Sequence, residues 1–516
     1  SISDSIVFTA ADTTNGWYGI RFDNTPSTND TSRLEYCGVF WGNANGSGND
    51  LFGGGINFNH FSKARISSCR ISHNKAAKGG GIYLNASSPV ISGSVVSLNE
   101  ATGCGGGIYC DTSNPRIIGN SISRNSSLSG GAICSWASNP IIAENNISNN
   151  SASYGGGAIY ASGSSADFVI SHNVINENSA GSNNAGGIYI AGPVHASISY
   201  NTISYNVAHV SGGGIVCYSN NNYSTISYNH ISNNTALQDG GGIACFTDSD
   251  PNIHNNTITN NSASTGGGGI YFFSNASPSV INNTISNNHC SGSGGAIFCI
   301  GSSSPSFLNC ILYGNTATLS GSQVYLLDEP SDPDFLYCDV MGGVVGFELN
   351  DNFFTGAYMN NTDTVPMFVA PSAGAGAGFD GVTSDWSLLW NSPCIDAGDP
   401  AGIYTGTDIA GNSRVIGGRV DMGAYEFAGT TAIEEGNSSV FEVRPNPTSG
   451  TIVVKSPTGP ICTMITLLDA AGRTLQSENL PTHIWMFDLG NYERGLYFVR
   501  MDFVSGHSLV ERVIKQ

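Results

Sequence analysis

Three observations predict an all-β parallel β-helix: a short phrase repeated ten times, a period near 27 residues, and apolar runs too brief for helices. The phrase is a glycine cluster followed by isoleucine, usually with an aromatic residue or cysteine next. Its isoleucines are Ile56, Ile82, Ile108, Ile133, Ile159, Ile188, Ile215, Ile243, Ile270 and Ile297. Successive separations are 26, 26, 25, 26, 29, 27, 28, 27 and 27 residues. Self-similarity at a fixed period of this length marks stacked repeats, each coil touching only its neighbours.

Each period carries a second phrase, roughly Ile-Ser-x-Asn, often preceded by Ser-Pro-x-Val/Ile as at Pro89-Val90-Ile91 and Pro140-Ile141-Ile142. Short apolar runs split by Gly, Asn, Ser and Pro read as strands. The same residues weaken helices or compete for their backbone bonds, which excludes a helical solenoid, and the leucine pattern of leucine-rich repeats is missing. Three strands per coil are predicted. Coils stacked about 4.8 Å apart would raise ten repeats on the order of 50 Å. In residues 105 to 110 the period of two points Ile108 and Cys110 inward and Tyr109 outward, with the glycines permitting a sharp corner. The recurrent asparagines, Asn74, Asn99, Asn125, Asn150, Asn178, Asn206, Asn234, Asn261, Asn288 and Asn315, are expected to stack into a structural ladder, amide to amide.

Charge narrows the partners. The 516 residues carry a net charge of −20, unevenly: −5 over residues 1 to 320, −13 over 321 to 427 and −2 over 428 to 516. So acidic a chain argues against nucleic acid and anionic lipid, and no apolar run is long enough for a membrane helix. Ser1 stands just ahead of what already reads as strand (Ile6-Val7-Phe8), as a mature or trimmed start would. Of thirteen cysteines, Cys110, Cys217, Cys245 and Cys299 follow the repeat isoleucine by two and should fill the core. Cys37, Cys69 and Cys310 share another slot ahead of the second strand. Cys217 and Cys245 lie in adjacent coils, where a disulfide is conceivable. No cysteine and histidine spacing suits zinc.

Composition divides the chain into a helix over 1–320, irregular final coils and a closing region over 321–427, a linker over 428–439, and a small β-sandwich over 440–516. Ser392-Pro393-Cys394-Ile395-Asp396-Ala397-Gly398-Asp399-Pro400, Asp408-Ile409-Ala410-Gly411-Asn412 and Asp421-Met422-Gly423-Ala424-Tyr425-Glu426-Phe427 resemble the "choice-of-anchor" region that closes many bacterial right-handed β-helix surface proteins. The last segment holds Arg444-Pro445-Asn446-Pro447-Thr448-Ser449-Gly450, the turn around Gly472, Gly495-Leu496-Tyr497 and a terminal Lys515. In order and spacing these resemble the C-terminal sorting domain of the type IX secretion system. That resemblance implies export across the outer membrane of a Gram-negative, Bacteroidota-like cell. It makes the translocon a partner, and Pro445, Asn446, Pro447, Gly450, Gly472, Gly495, Tyr497 and Lys515 the motif residues. Right-handedness follows from the family and from the crossover preference of parallel strands.

Chemistry is harder to find. β-Helix lyases and hydrolases need carboxylates, or a carboxylate with Lys or Arg, gathered over neighbouring coils. Here Asp248 and Asp250 share a turn without acidic neighbours one period away, Asp239 and His209 are offset, and Asp111, Arg116 and Arg124 fall on different faces. No catalytic residue is assigned. Asp396, Asp399, Asp408 and Asp421, with Glu426, are weak calcium candidates, although Asp and Gly equally make tight turns; no other metal or cofactor is expected. Tyr83, Tyr109, Tyr160, Tyr189, Tyr271 and Phe298 occupy one outward slot. Such a stripe can stabilise the sheet across strands or hold sugar rings. The expectation is a secreted, surface-displayed structural or adhesive rod. The alternatives are a polysaccharide lyase or glycosidase on extracellular glycans, and a filament subunit assembling with copies of itself through an open end.

Overall fold

A run of three or four residues can bury one apolar face only against its own kind one period on, and the backbone pairs accordingly. In the computed structural model, which describes all residues except 1–4, 27, 164, 220–221, 403, 430–441, 456–461, 479–483 and 504–507, Ile108 lies beside Ile82 and Ile133. Tyr109 lies beside Tyr83 and Cys134, parallel and in register. Twelve such strands form a first ladder from Ile20–Asp23 to Val324–Leu326. A second, of thirteen, runs from Ser32–Glu35 to Tyr358–Met359, and a third, of thirteen, carries the Ile-Ser-x strands from Ile6–Thr9 to Asp339–Val340.

Three strands per coil are predicted and four ladders form. The fourth runs from Lys75–Lys78 to Thr316–Ala317. Its strands shrink to pairs such as Ser179–Ala180 and Ser262–Ala263, in which one alanine is buried. A single inward methyl leaves no apolar run to read. Among the described residues there is no α-helix.

The ten phrase isoleucines are fully buried, as are Cys110, Cys217, Cys245 and Cys299, and they share one continuous core. Burial of each isoleucine contributes about 1.5–3 kcal/mol. The glycine phrase is demanded by backbone proximity: a Cβ on Gly106 would lie 2.4 Å from the Ser126 carbonyl oxygen and 2.6 Å from that of Gly131, one coil on. Gly105 (φ +71°) makes the corner before it.

The glycine phrase stops at 320 but the ladders do not. Val324–Leu326, Asp334–Leu336 and Asp339–Val340 complete a further coil, and Tyr358–Met359 pairs onto it. Phe347, Phe354 and Tyr358 then pack against this end of the core. From about 366 to 427 the chain turns back along the outside of the third ladder as a strap. Phe368, Trp386, Leu388, Cys394 and Met422 make a second small core with Ile311. Of the expected linker, residues 430–439 lie outside the described residues.

The C-terminal segment is a sandwich of two antiparallel sheets. One holds Glu442–Arg444, Thr451–Lys455 and Ile484–Asp488; the other holds Thr474–Glu478, Cys462–Asp469, Gly495–Phe503 and Ser508–Lys515. Both contribute to one core around Ile452, Trp485, Phe487 and Val499. Thr474–Glu478 is not evident in the sequence, because Leu475 is its one apolar residue.

Candidate functional site

The strands of the third ladder are three or four residues long, apart from the two-residue Asp339–Val340 at its end, and are entered and left through a residue of positive φ in most coils. The entry row includes Glu144, His172, Tyr200 and Tyr228; the exit row includes Arg124, Asn149, Glu177, Tyr205 and Asn233, with φ between +55° and +58°. Each such turn swings the next residue inward, and asparagine takes that place because its amide can both donate and accept.

The predicted ladder from Asn74 to Asn315 therefore forms. Each Nδ2 donates to the next Oδ1 at 2.9–3.0 Å, and the last donates to Gln323 Oε1 at 2.7 Å. A second ladder, on the entry side, was missed. It runs through Asn120, Asn145, Asn173, Asn201, Asn229, Asn256 and Asn283 at 2.9–3.0 Å. Cys37, Cys69 and Cys310 occupy this slot: the Cys69 thiol accepts from the Cys37 N–H at 3.4 Å, and the Cys310 thiol from the Asn283 N–H at 3.5 Å. The shared cysteine position was the available signal, since a thiol is a weak substitute for an amide.

Between the rows lies the outer face of the third ladder, and over the last coils the strap occupies it. Asn233 Nδ2 donates to Ala377 O at 3.1 Å and Phe379 O at 2.6 Å, and its Oδ1 accepts from Gly381 N at 2.9 Å. Asn260 donates to Gly374 O at 2.8 Å and Asn287 to Ser372 O at 3.1 Å. On the other side Asn309 donates to Tyr404 Oη at 2.8 Å and accepts from Asp399 N at 2.7 Å. Thr257, Thr259, Thr284 and Ser286 are buried beneath.

Upstream of Asn233 the same face is open. Two outward columns make its floor: Asn146, Val174, Thr202 and His230 on the entry side, with Val174 44% exposed, and Ser148, Asn176, Ser204 and Ser232 on the exit side, of which Ser204 and Ser232 are buried. On the entry row His172, Tyr200 and Tyr228 stack at 5.0 and 4.7 Å between ring centres. On the exit row Tyr205 is 41% exposed, and partial burial and the Asp380 carboxylate of the strap raise its hydroxyl pKa.

The aromatic stripe predicted from the repeat lies elsewhere and is closed. Tyr83, Tyr109, Tyr189, Tyr271 and Phe298 are 3–8% exposed and Tyr160 is partly buried. They point away from the main core but form two satellite cores with Phe52, Ala185, Val216 and Ala244. The segment before each glycine corner folds over them: Cys104, at the end of a fourth-ladder strand, is disulfide-bonded to Cys134 in the aromatic slot of the next coil. A sugar ring has no face to reach here, so this stripe is corrected to a packing role. Cys217 and Cys245, the pair considered for a disulfide, are buried thiols.

The carboxylates weighed for catalysis stay apart. Asp250 accepts from Ser277 N at 2.6 Å; Asp239, pushed up to about 6 by burial, is hydrogen-bonded by Gly266 and Ser211 rather than His209. Two basic residues near the start have partners, Lys75 with Glu100 at 2.8 Å and Lys78 over the Tyr109 ring at 4.9 Å.

The calcium candidates serve turns in the strap. Asp399 accepts from Ala401 N, Asp408 from Ala410, Asn412 and Glu426 N–H groups, and Asp421 from Asp396 and Phe427 N–H groups, at 2.7–3.0 Å. Asp396 contributes its backbone N–H. Among the described residues no three His, Cys, Asp or Glu side chains are arranged to hold a metal. The centre of this group is Arg414, 2% exposed, donating to Asp421 O and Gly423 O and lying 3.5 Å from Glu426 Oε1.

In the sandwich the motif residues join its first segment to its last strand. Asn446 accepts from Ile514 N at 2.9 Å and donates to Arg512 O at 2.5 Å, and Thr448 N donates to Ile514 O at 2.8 Å. The peptide bonds preceding Pro445 and Pro447 are cis. Gly450 accepts from Leu489 N, and Gly472 (φ +77°) closes a turn onto Asp469 O. Gly495 pairs with Lys515, whose ammonium is 3.0 Å from Gly490 O and also donates to Leu489 O and Tyr492 O, while Tyr497 Oη donates to Glu493 O at 2.7 Å.

A family described as "Right handed beta helix region" matches residues 54–182 and 178–317. A "Secretion system C-terminal sorting domain" matches 442–516. No curated protein and no solved structure matches the chain. Among the described residues no helix is long and apolar enough to cross a membrane.

Proposed function

Since the chain belongs to the right-handed β-helix family and carries a type IX sorting domain that directs it to the surface of a Bacteroidota-like cell, we propose that it is a surface-displayed rod with a structural or adhesive role. The observation that carries this reading is the distribution of charge on the solenoid. Between Arg124 and Arg414 the sequence contains no lysine or arginine, and the six carboxylates between residues 125 and 320 are scattered. A lyase acting on uronic acids needs cations to neutralise the sugar carboxylate and a base beside them; a glycosidase needs two facing carboxylates. Continuous amide ladders and a neutral, hydroxyl-rich surface suit a stiff displayed element.

Export supplies the test. In a host with a type IX system, the full chain should be surface-labelled on intact cells, and a chain lacking residues 442–516 should be retained inside. Lys515→Met, which removes an ammonium held by three carbonyl oxygens, should reduce display several-fold by loosening the sandwich, a loss of about 1.5–3 kcal/mol for hydrogen bonds to a charged group. Equal display without the last domain would overturn the delivery route. Reproducible release of sugar products by the purified chain would overturn the non-catalytic role.

A further inference from the structure

We infer that Cys37 and Cys69 are a dithiol modification site: in an oxidising compartment they close to a second disulfide and clamp neighbouring coils of the third ladder together. The inference goes beyond the surface-display reading and draws on it only for the oxidising surroundings. The bond between Cys104 and Cys134 points to the same surroundings independently, since disulfides persist where thiols are not kept reduced.

Register brings the pair together. Gly38 lies beside Arg70 and Val39 beside Ile71, so Cys37 and Cys69 stand one residue earlier on neighbouring strands, about 4.8 Å apart along the rod. A disulfide spans Cα atoms roughly 4.4–6.8 Å apart. Each cysteine follows a corner of positive φ, at Tyr36 and Ser68, which turns both side chains the same way. The Cys69 thiol reaches into the preceding coil, 3.1 Å from Leu34 O, and accepts from Cys37 N at 3.4 Å. Cys37 Sγ donates to the next carbonyl, Glu35 O, at 3.3 Å. Two thiols therefore hang from consecutive carbonyls of one turn, in hydrogen-bond contact with each other.

Access separates this pair from two others. Cys217 lies beside Cys245 in register, and Cys310 and Cys338 stand one residue ahead of the paired Ile311 and Asp339. Those four thiols have the same spacing but are 0% exposed, so an oxidant has no path to them. Cys37 is 6% and Cys69 3% exposed. Among the described residues both line a cavity of about 520 Å³, with Tyr36, Gly38, Ser68 and Arg70. A small disulfide can enter it from solvent.

The step is thiol–disulfide exchange with a disulfide oxidant, either a small molecule or an oxidoreductase. One cysteine attacks the oxidant and forms a mixed disulfide; the other attacks that cysteine's sulfur. An S–S bond forms between Cys37 and Cys69, the oxidant's S–S bond breaks, and the oxidant leaves as two thiols carrying both electrons and both protons. Burial raises the Cys69 thiol to about 11, so closure in the folded chain is slow at neutral pH and quickens as pH rises. The new bond spans 32 residues of sequence and ties Cys37–Phe40 to Arg70–Ser72. The existing bond ties the fourth ladder to the first, so the two clamps act on different faces.

The test treats the folded full chain with oxidised glutathione at about pH 8.5, then unfolds it in denaturant with iodoacetamide and maps its peptides. Trypsin cuts after Arg33, Lys63, Arg65 and Arg70, so the bond appears as peptide 34–63 linked to peptide 66–70. Cys217, Cys245, Cys310 and Cys338 should all be alkylated. Hydrogen exchange over Ile6–Thr9 and Cys37–Phe40 should slow at least about ten-fold on oxidation. Cys69→Ser should abolish both the linked pair and the slowing. Serine suits this column, because Ser94 already fills its next place and accepts from Cys69 N at 3.1 Å; circular dichroism checks that the variant folds. Unlinked peptides, a glutathione adduct on either cysteine alone, bonds between chains, equal oxidation of the fully buried pairs, or unchanged exchange would each overturn the assignment. Such a failure leaves the export result standing, and failed export leaves the linked pair in the purified chain intact.

Discussion

Asn178→Leu should destabilise the solenoid by about 3–5 kcal/mol, because it removes the central member of a buried column and orphans its neighbours. Asn178 is fully buried, and its Oδ1 accepts from both Asn150 N and Asn150 Nδ2 at 3.0 Å. Its Nδ2 donates to Ile147 O, Asn176 O and Asn206 Oδ1 at 2.9–3.0 Å. Leucine matches the volume but leaves a backbone N–H and a carbonyl unpaired in the core, each costing about 1–3 kcal/mol. Asn178→Asp should be worse at neutral pH, since its second carboxylate oxygen would replace the Nδ2 donor and face the three oxygens of Ile147, Asn176 and Asn206. Urea unfolding gives the magnitude and hydrogen exchange the location: protection should fall first around Ile147–Asn150 and spread by coils. Ser179→Ala, the exposed neighbour, should stay within about 0.5 kcal/mol. A change below about 1 kcal/mol for Asn178→Leu would mean that the amide column contributes little.

Arg414→Met should release the strap while leaving the solenoid folded. Among the described residues Arg414 is the one buried cation beside the buried carboxylates Asp408, Asp421 and Glu426. Breaking such a group by removing one partner typically costs about 3–5 kcal/mol. Exchange protection should collapse over residues 366 to 427 and persist in the asparagine ladders. The same group makes strap docking pH-dependent. Burial pushes Glu426 up to about 8 against the pull of Arg414, and Asp421 up to about 6. Both lie above ordinary carboxylates near 4. The docked strap therefore holds more protons than the released one across this range, so stability falls as pH rises. The contribution is complete below about pH 4 and is lost as pH climbs through 6 and then 8. Glu426→Gln, which is neutral throughout, should flatten the upper part of that decline when strap exchange is followed from pH 5 to 9. An unchanged profile would assign the dependence elsewhere.

The sequence was most legible where side chains repeat. Glycine and isoleucine placed the first ladder, and the Ile-Ser-x-Asn phrase placed the third with its exit-side amides. The motifs around Pro445, Gly472 and Gly495 placed the sandwich. The fourth ladder was hidden because a strand holding one inward alanine, such as Ser262–Ala263, has no hydrophobic period. The stripe from Tyr83 to Phe298 was correctly placed outside the main core, yet its covering comes from the Cys104–Gly105 segment folding back, a path that side-chain alternation does not report. The open face was least visible. Its tyrosines sit at positive-φ corners that other coils fill with residues as varied as Arg124, Glu144, His172 and Asn233, and whether the strap reaches Tyr205 depends on contacts more than 140 residues apart, such as Asn233 with Ala377 and Phe379.

Stacked coils with like residues in columns underlie the ladders, the strap seat and the open face alike, and one distance measures that stacking. Lys75 and Thr316 are both exposed and begin the first and last of ten fourth-ladder strands. The described free cysteines are buried, which shields them from a spin label in the native state. Labels at Lys75→Cys and Thr316→Cys should give a single narrow pulsed-dipolar distance near 43 Å, nine steps of about 4.8 Å. A broad distribution, or a distance far from this value, would contradict the rod and everything built on its faces.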